Sequence, residues 1–143
     1  MPKKELNAIK PYGNVVLCAL DSQYVHTNLA VHYIKSYADK HARCFSCQIL
    51  EGTVNEPQER FFDAIGERKP DIVAFWNIRE IRTLCERLCR EMPQVPIILG
   101  GPEVTFNPDP YLADGMCDYV LCGEGEIAFT RLCDALIADE DIP

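Results

Sequence analysis

A five-stranded parallel sheet with helices on both faces, doubly wound and Rossmann-like or flavodoxin-like in the order 2-1-3-4-5, is the α/β fold that this sequence predicts. Three observations point to it. Short apolar runs alternate with longer stretches of helical periodicity, the pattern of repeated strand–helix–strand units. One run, Asp71-Ile72-Val73-Ala74-Phe75-Trp76, is apolar from its second residue to its end, as a central strand covered on both faces must be. Another alternates Phe45, Cys47 and Ile49 with Ser46 and Gln48, which leaves one side wet and suits an edge. Because crossovers between parallel strands are right-handed, an edge position for the second strand selects that order.

Each element has its own signal. The first strand spans 14–20, and the helix after it, 28–40, places Ala30, Tyr33, Ile34, Tyr37 and Ala38 inward at helical spacing. The second strand covers 43–50. Pro57 can open the second helix, which carries Phe61, Phe62 and Ile65 inward, and Pro70 marks its end because the residue before a proline avoids helical geometry. The third strand is 71–76. A helix over 78–91 is cut by Pro93, with Ile78, Ile81, Cys85, Leu88, Cys89 and Met92 as its core stripe. Ile97-Ile98-Leu99 forms the fourth strand and 118–122 the fifth. Gly123-Glu124-Gly125 leads into the last helix, with Ile127, Phe129, Leu132, Cys133, Leu136 and Ile137 inward. The expected division is an amino-terminal extension over 1–13, one domain over 14–138, and the start of a linker over 139–143.

Composition limits the function. The chain has 143 residues, 48% hydrophobic and 25% charged, which suits one folded module and excludes a disordered tail. Fourteen Lys plus Arg against 22 Asp plus Glu give −8, the wrong sign for a protein that grips a nucleic-acid backbone. The longest strongly apolar stretch, 15–20, is far below the ~20 residues a membrane helix needs. Lys3 and Lys4 are followed by Glu5, Asn7, Lys10 and Pro11 instead of an apolar signal core, so a cytoplasmic protein is expected. Its eight cysteines are too sparse for a disulfide scaffold and are expected to be reduced. Cys44 and Cys47 form a CxxC, but in a strand residues three apart point to opposite faces, which favours packing over a shared metal ion.

Ligands of a doubly wound sheet lie at the carboxyl ends of its strands. Those ends read Leu20-Asp21-Ser22-Gln23, Leu50-Glu51-Gly52-Thr53, Phe75-Trp76-Asn77, Leu99-Gly100-Gly101-Pro102-Glu103 and Cys122-Gly123-Glu124-Gly125-Glu126. Two glycine-rich turns on neighbouring strands allow positive φ and the close approach of a bulky ligand, although tight turns use glycine pairs too. The sequence lacks a GxxxxGK(S/T) phosphate loop and a GxGxxG turn after the first strand. A phospho-receiver needs an aspartate at the end of the third strand, where this chain has Trp76-Asn77. A flavodoxin-type phosphate loop would find only Ser22 and Thr27 as hydroxyls. Glu103, Glu124 and Glu126 repel a bare phosphate but can accept hydrogen bonds from a ligand rich in amide donors; Glu126 equally suits a helix amino terminus.

The segment Ile97-Ile98-Leu99-Gly100-Gly101-Pro102-Glu103-Val104, followed about fifteen residues later by Asp118-Tyr119-Val120-Leu121-Cys122-Gly123-Glu124-Gly125-Glu126 with Phe129 beyond, resembles the amino-terminal cobalamin-binding domain of cobalamin-dependent radical S-adenosylmethionine enzymes. The stretch from Ala19 to Ala30 looks like that family's first strand, loop and helix, and Lys69 to Phe75 like its third strand. The resemblance implies a corrin ring capping the carboxyl edge and a nucleotide tail running into the crevice between strands. The contacts it implies are Asp21, Ser22, Asn77, Gly100, Gly101, Glu103, Gly123 and Glu124. It implies a cobalamin-binding module of a larger enzyme, with methyl transfer as one role of the cofactor and with the iron–sulfur cluster and S-adenosylmethionine in a missing carboxyl-terminal radical S-adenosylmethionine domain. A flavin-binding electron-transfer module and a noncatalytic protein-interaction domain are the alternatives.

Two departures limit that carry-over. The DxHxxG sequence that supplies a histidine below cobalt in other cobalamin proteins is absent: Asp21-Ser22-Gln23 has Gln where His is required, and His26 comes three residues late. No protein metal ligand is therefore expected. The CxxxCxxC triplet that binds the iron–sulfur centre is also missing, so these residues are expected to hold a cofactor without performing the radical chemistry.

Overall fold

The apolar runs pair as parallel strands. A computed structural model describes residues 13–21, 29–53, 58–76, 82–100, 117–121 and 125–140. Among them β1 (Gly13–Asp21) lies between β2 (Phe45–Thr53) and β3 (Ile72–Trp76), followed by β4 (Ile97–Gly100) and β5 (Tyr119–Leu121). The order is β2-β1-β3-β4-β5, the predicted 2-1-3-4-5. Between the strands run α1 (Leu29–His41), α2 (Gln58–Glu67) and α3 (Arg82–Glu91), and α4 (Glu126–Ala138) follows β5.

Period-two alternation sends the strand side chains into two cores, one on each face of the sheet. Val16, Cys18, Val73, Phe75, Ile97 and Leu99 meet Phe61, Phe62 and Ile65 of α2 and Leu84, Cys85 and Leu88 of α3. On the opposite face Val15, Leu17, Ala19, Ile72, Ala74, Trp76 and Ile98 meet Val31, Ile34 and Ala38 of α1 and Phe129, Leu132 and Cys133 of α4. All five residues of β3 are buried, as the uninterrupted apolar run requires. At the edge, Phe45 and Cys47 are buried and Ser46 is exposed.

Three inward assignments are corrected. Tyr33 is 61% exposed: the buried stripe of α1 runs through Val31, Ile34 and Ala38, and at about 100° per residue Tyr33 falls well outside it. Ile127 is 53% exposed because it precedes Phe129 by two positions, which turns it nearly to the opposite side of α4. Cys89 is exposed while Cys85 is fully buried, since the stripe of α3 is centred on Leu84, Cys85 and Leu88. Pro57, Ile78 and Ile81 lie outside the described residues. Element ends shift by a few residues: β2 runs on to Thr53, and β4 includes Gly100.

Polar clamps fix the register at the amino end of the sheet. Asn14 N–H donates to Asp71 Oδ2 at 2.7 Å, Asp71 N–H donates to the Asn14 carbonyl at 2.7 Å, and Gln48 Nε2 donates to Asn14 Oδ1 at 2.7 Å. A second clamp was not foreseen. Asp134, in the apolar run of α4, is buried, and its carboxylate accepts the backbone N–H of Arg43 at 2.9 Å and of Cys44 at 3.0 Å. These bonds tie α4 to the connection between α1 and β2. Asp134→Ala should cost about 2–3 kcal/mol, because it strands two backbone donors and removes charge-assisted bonds, and a lowered urea midpoint at unchanged m-value would show it. No described helix is long and apolar enough to cross a membrane.

Candidate functional site

Because every strand is parallel, Asp21, Thr53, Trp76, Gly100 and Leu121 all end at one edge, and α4 rises directly behind β5 from its N-cap residue Gly125. Of the residues expected to form the site, Asp21 closes β1 with only its backbone described, and Gly100 closes β4. The fold brings these two to the same edge. Ser22, Asn77, Gly101, Glu103, Gly123 and Glu124 lie outside the described residues, as does His26.

Trp76 and Gly100 are register partners on β3 and β4, facing the α1 and α4 side. The indole of Trp76, 4% exposed, fills the space that side chains at Gly100 and Gly125 would need. A Cβ on Gly125 would stand 2.6 Å from its Cζ2, and one on Gly100 would stand 2.5 Å from the same atom. Phe129 meets the indole edge to face, with ring centroids 6.3 Å apart and planes at 85°. The missing side chain of Gly100 thus makes room for an aromatic ring of the same chain. Neither Trp76 nor Gly125 stood among the predicted site residues. The available signal was that Trp76 and Gly100 each close a strand of the same sheet, on the same face.

Towards the same end of the sheet, His32 Nε2 of α1 lies 3.0 Å from Glu51 Oε1 of β2. The thiols sit elsewhere. Cys44, just before β2, has its Sγ 3.3 Å from Asp134 Oδ1, and burial together with that carboxylate pushes its pKa up to about 11. Cys47 is buried in the core against α1 and α4, and burial pushes it to about 12. Both are protonated at neutral pH, the form that neither attacks nor coordinates. No group of three or more His, Cys, Asp or Glu able to hold a metal occurs among the described residues.

The family described as the B12 binding domain matches residues 15–133, from the first core residue of β1 to the middle of α4. The cobalamin-dependent radical SAM methyltransferase TokK of Streptomyces tokunonensis is 26% identical over 130 residues, covering 82% of this chain. This chain spans only 18% of that protein's length. Among solved structures, the radical S-adenosylmethionine methyltransferase TsrM from Kitasatospora setae superposes with a TM-score of 0.71 at 17% identity, over 91% of this chain and 27% of its own. The isolated REC domain of RcsB from Salmonella enterica serovar Typhimurium superposes with a TM-score of 0.62 at 14% identity, over 91% of both chains. The fold is therefore shared with a receiver domain as well as with cobalamin-dependent methyltransferases.

Proposed function

Because this chain belongs to the B12 binding domain family, we propose that it holds cobalamin, with the corrin over the carboxyl edge of the sheet, as the cobalamin-binding module of a larger radical S-adenosylmethionine methyltransferase. The family match across all five strands carries this reading. The described edge suits a broad, flat ring, since β4 ends in a glycine and the large side chain beside it is folded down into the core. Asp21, Ser22, Asn77, Gly100, Gly101, Glu103, Gly123 and Glu124 are the residues that would hold the cofactor. Glycines leave backbone N–H groups open to it, and the carboxylates accept hydrogen bonds from its amide-rich rim. When bound, cobalamin supplies the capacity to pass on a methyl group.

The same proposal places the iron–sulfur cluster and S-adenosylmethionine in a separate domain beyond 139–143, with 14–138 as the cobalamin-binding unit. The greater length of TokK supports it. A cytoplasmic setting and the absence of a nucleic-acid partner belong to the proposal too; the low cysteine density and the charge of −8 support them. With Gln23 in place of the DxHxxG histidine, the reading includes no protein imidazole below cobalt.

The test is direct. Cobalamin added to the 143-residue chain should remain with it through a desalting column and shift its visible spectrum, whereas a flavin should pass through. Retention of flavin alone would support the electron-transfer alternative, and retention of neither would leave a protein-interaction domain.

A further inference from the structure

Resting on that reading, we infer that Trp76 seals the crevice between β4 and α4, so that the domain grips the corrin ring while the benzimidazole-bearing nucleotide loop of cobalamin stays outside this crevice. The indole lies between the backbone of Gly100 on β4 and that of Gly125 at the start of α4, so close that a methyl group on either glycine would overlap it. Phe129 meets the indole in an edge-to-face contact, and Ile34 Cδ1 lies 3.6 Å from where a Cβ of Gly125 would be. The ring is 4% exposed and belongs to the continuous core on the α1 and α4 side.

Crevices at the carboxyl edge are where ligands of doubly wound sheets lodge. Here the wedge beside two glycines, the place where a ligand could come closest to the backbone, already holds a planar bicyclic ring. A benzimidazole is also planar and bicyclic and of nearly the same size. Protein interiors are close-packed, so the two cannot share the space. Admission of the base requires the indole to leave a pocket that both glycines shape around it.

Cobinamide, which keeps the corrin and lacks the nucleotide loop, separates the alternatives. The unaltered chain should bind cobinamide and cobalamin with dissociation constants within about threefold of each other. Trp76 is the only tryptophan, so fluorotryptophan incorporation gives one fluorine NMR resonance, which should stay at its buried position with either corrinoid bound. Trp76→Gly opens the wedge, and that variant should gain at least about a tenfold preference for cobalamin over cobinamide. A preference for cobalamin of about tenfold or more in the unaltered chain, with or without displacement of the ring, overturns the inference. A folded Trp76→Gly variant without that gain overturns it as well, and if the variant fails to fold, the comparison in the unaltered chain decides. Failure of both corrinoids to bind is a different result, since it removes the cobalamin reading itself and the inference with it.

Discussion

Gly100→Val should destabilise the domain by about 3 kcal/mol, a large fraction of the ~5–15 kcal/mol that holds such a domain together. The argument is steric. Gly100 ends β4 within the sheet, and valine is a better strand former than glycine, so backbone preference alone would favour the change. The new Cβ, however, would come within 2.5 Å of Trp76 Cζ2. The ring has no room to retreat, because Gly125 and Phe129 confine it on other sides. Overpacking of this kind is relieved only by moving the backbone or shrinking the partner. Trp76→Leu should therefore cost less in the Gly100→Val background than in the unaltered chain, a coupling of about 1–2 kcal/mol in a double-mutant cycle. Urea unfolding followed by circular dichroism gives both values. A loss below about 0.5 kcal/mol for Gly100→Val would show that the wedge is not tightly packed.

Gly100 also shows where reading the sequence stopped. A glycine at a strand end says that something comes close, and the sequence offers no way to name the visitor. A ligand was the natural candidate; the structure puts Trp76 there. The strand order was legible because it rests on runs that carry their own explanation: β3 is apolar throughout and wholly buried, and β2 alternates and lies at the edge. Helix faces were legible at their centres and wrong at their margins. Val31, absent from the predicted stripe of α1, is fully buried, and Tyr33, included in it, points outward; an aromatic ring adds to an apolar count wherever it lies. Asp134 was invisible because its partners, the N–H groups of Arg43 and Cys44, lie 90 or more positions away in sequence. Of the eight predicted site residues, the structure places Gly100 and the backbone of Asp21 on the edge. The rest lie outside the described residues, and their assignment rests on the resemblance.

The largest expected effect comes from the thiols. Cys18 lies in the core under α2 and α3, and Cys47 and Cys133 in the core under α1 and α4; none is more than 5% exposed. Burial raises all three pKa values above the usual 9.0, Cys47 to about 12 and the other two in the same direction. Arg68 opposes the rise at Cys18 and Lys35 at Cys47, but burial outweighs both. In the fold these thiols stay neutral, while in the unfolded chain they ionise as the pH passes about 9. The folded state then binds more protons, so stability is undiminished below pH 9 and falls as the pH climbs towards the folded pKa values. Each thiol that stays neutral in the fold contributes a slope of about 1.4 kcal/mol per pH unit between its unfolded and its folded pKa, and Cys44, held to about 11, adds to the slope of these three. From pH 9 to pH 11 Cys47 alone removes about 3 kcal/mol, and Cys18, Cys44 and Cys133 pull the same way, against the ~5–15 kcal/mol that holds a domain together. We expect the urea midpoint to be nearly constant from pH 7 to about 8.5 and to fall steeply between pH 9 and about 11. Lysine and tyrosine also titrate there, so the slope must be assigned by substitution. Cys133→Ala leaves a small side chain in the same core and should flatten the slope, even though it lowers stability at pH 7. An unchanged slope in a Cys47→Ala, Cys133→Ala double variant would remove the thiols as the cause of the alkaline transition.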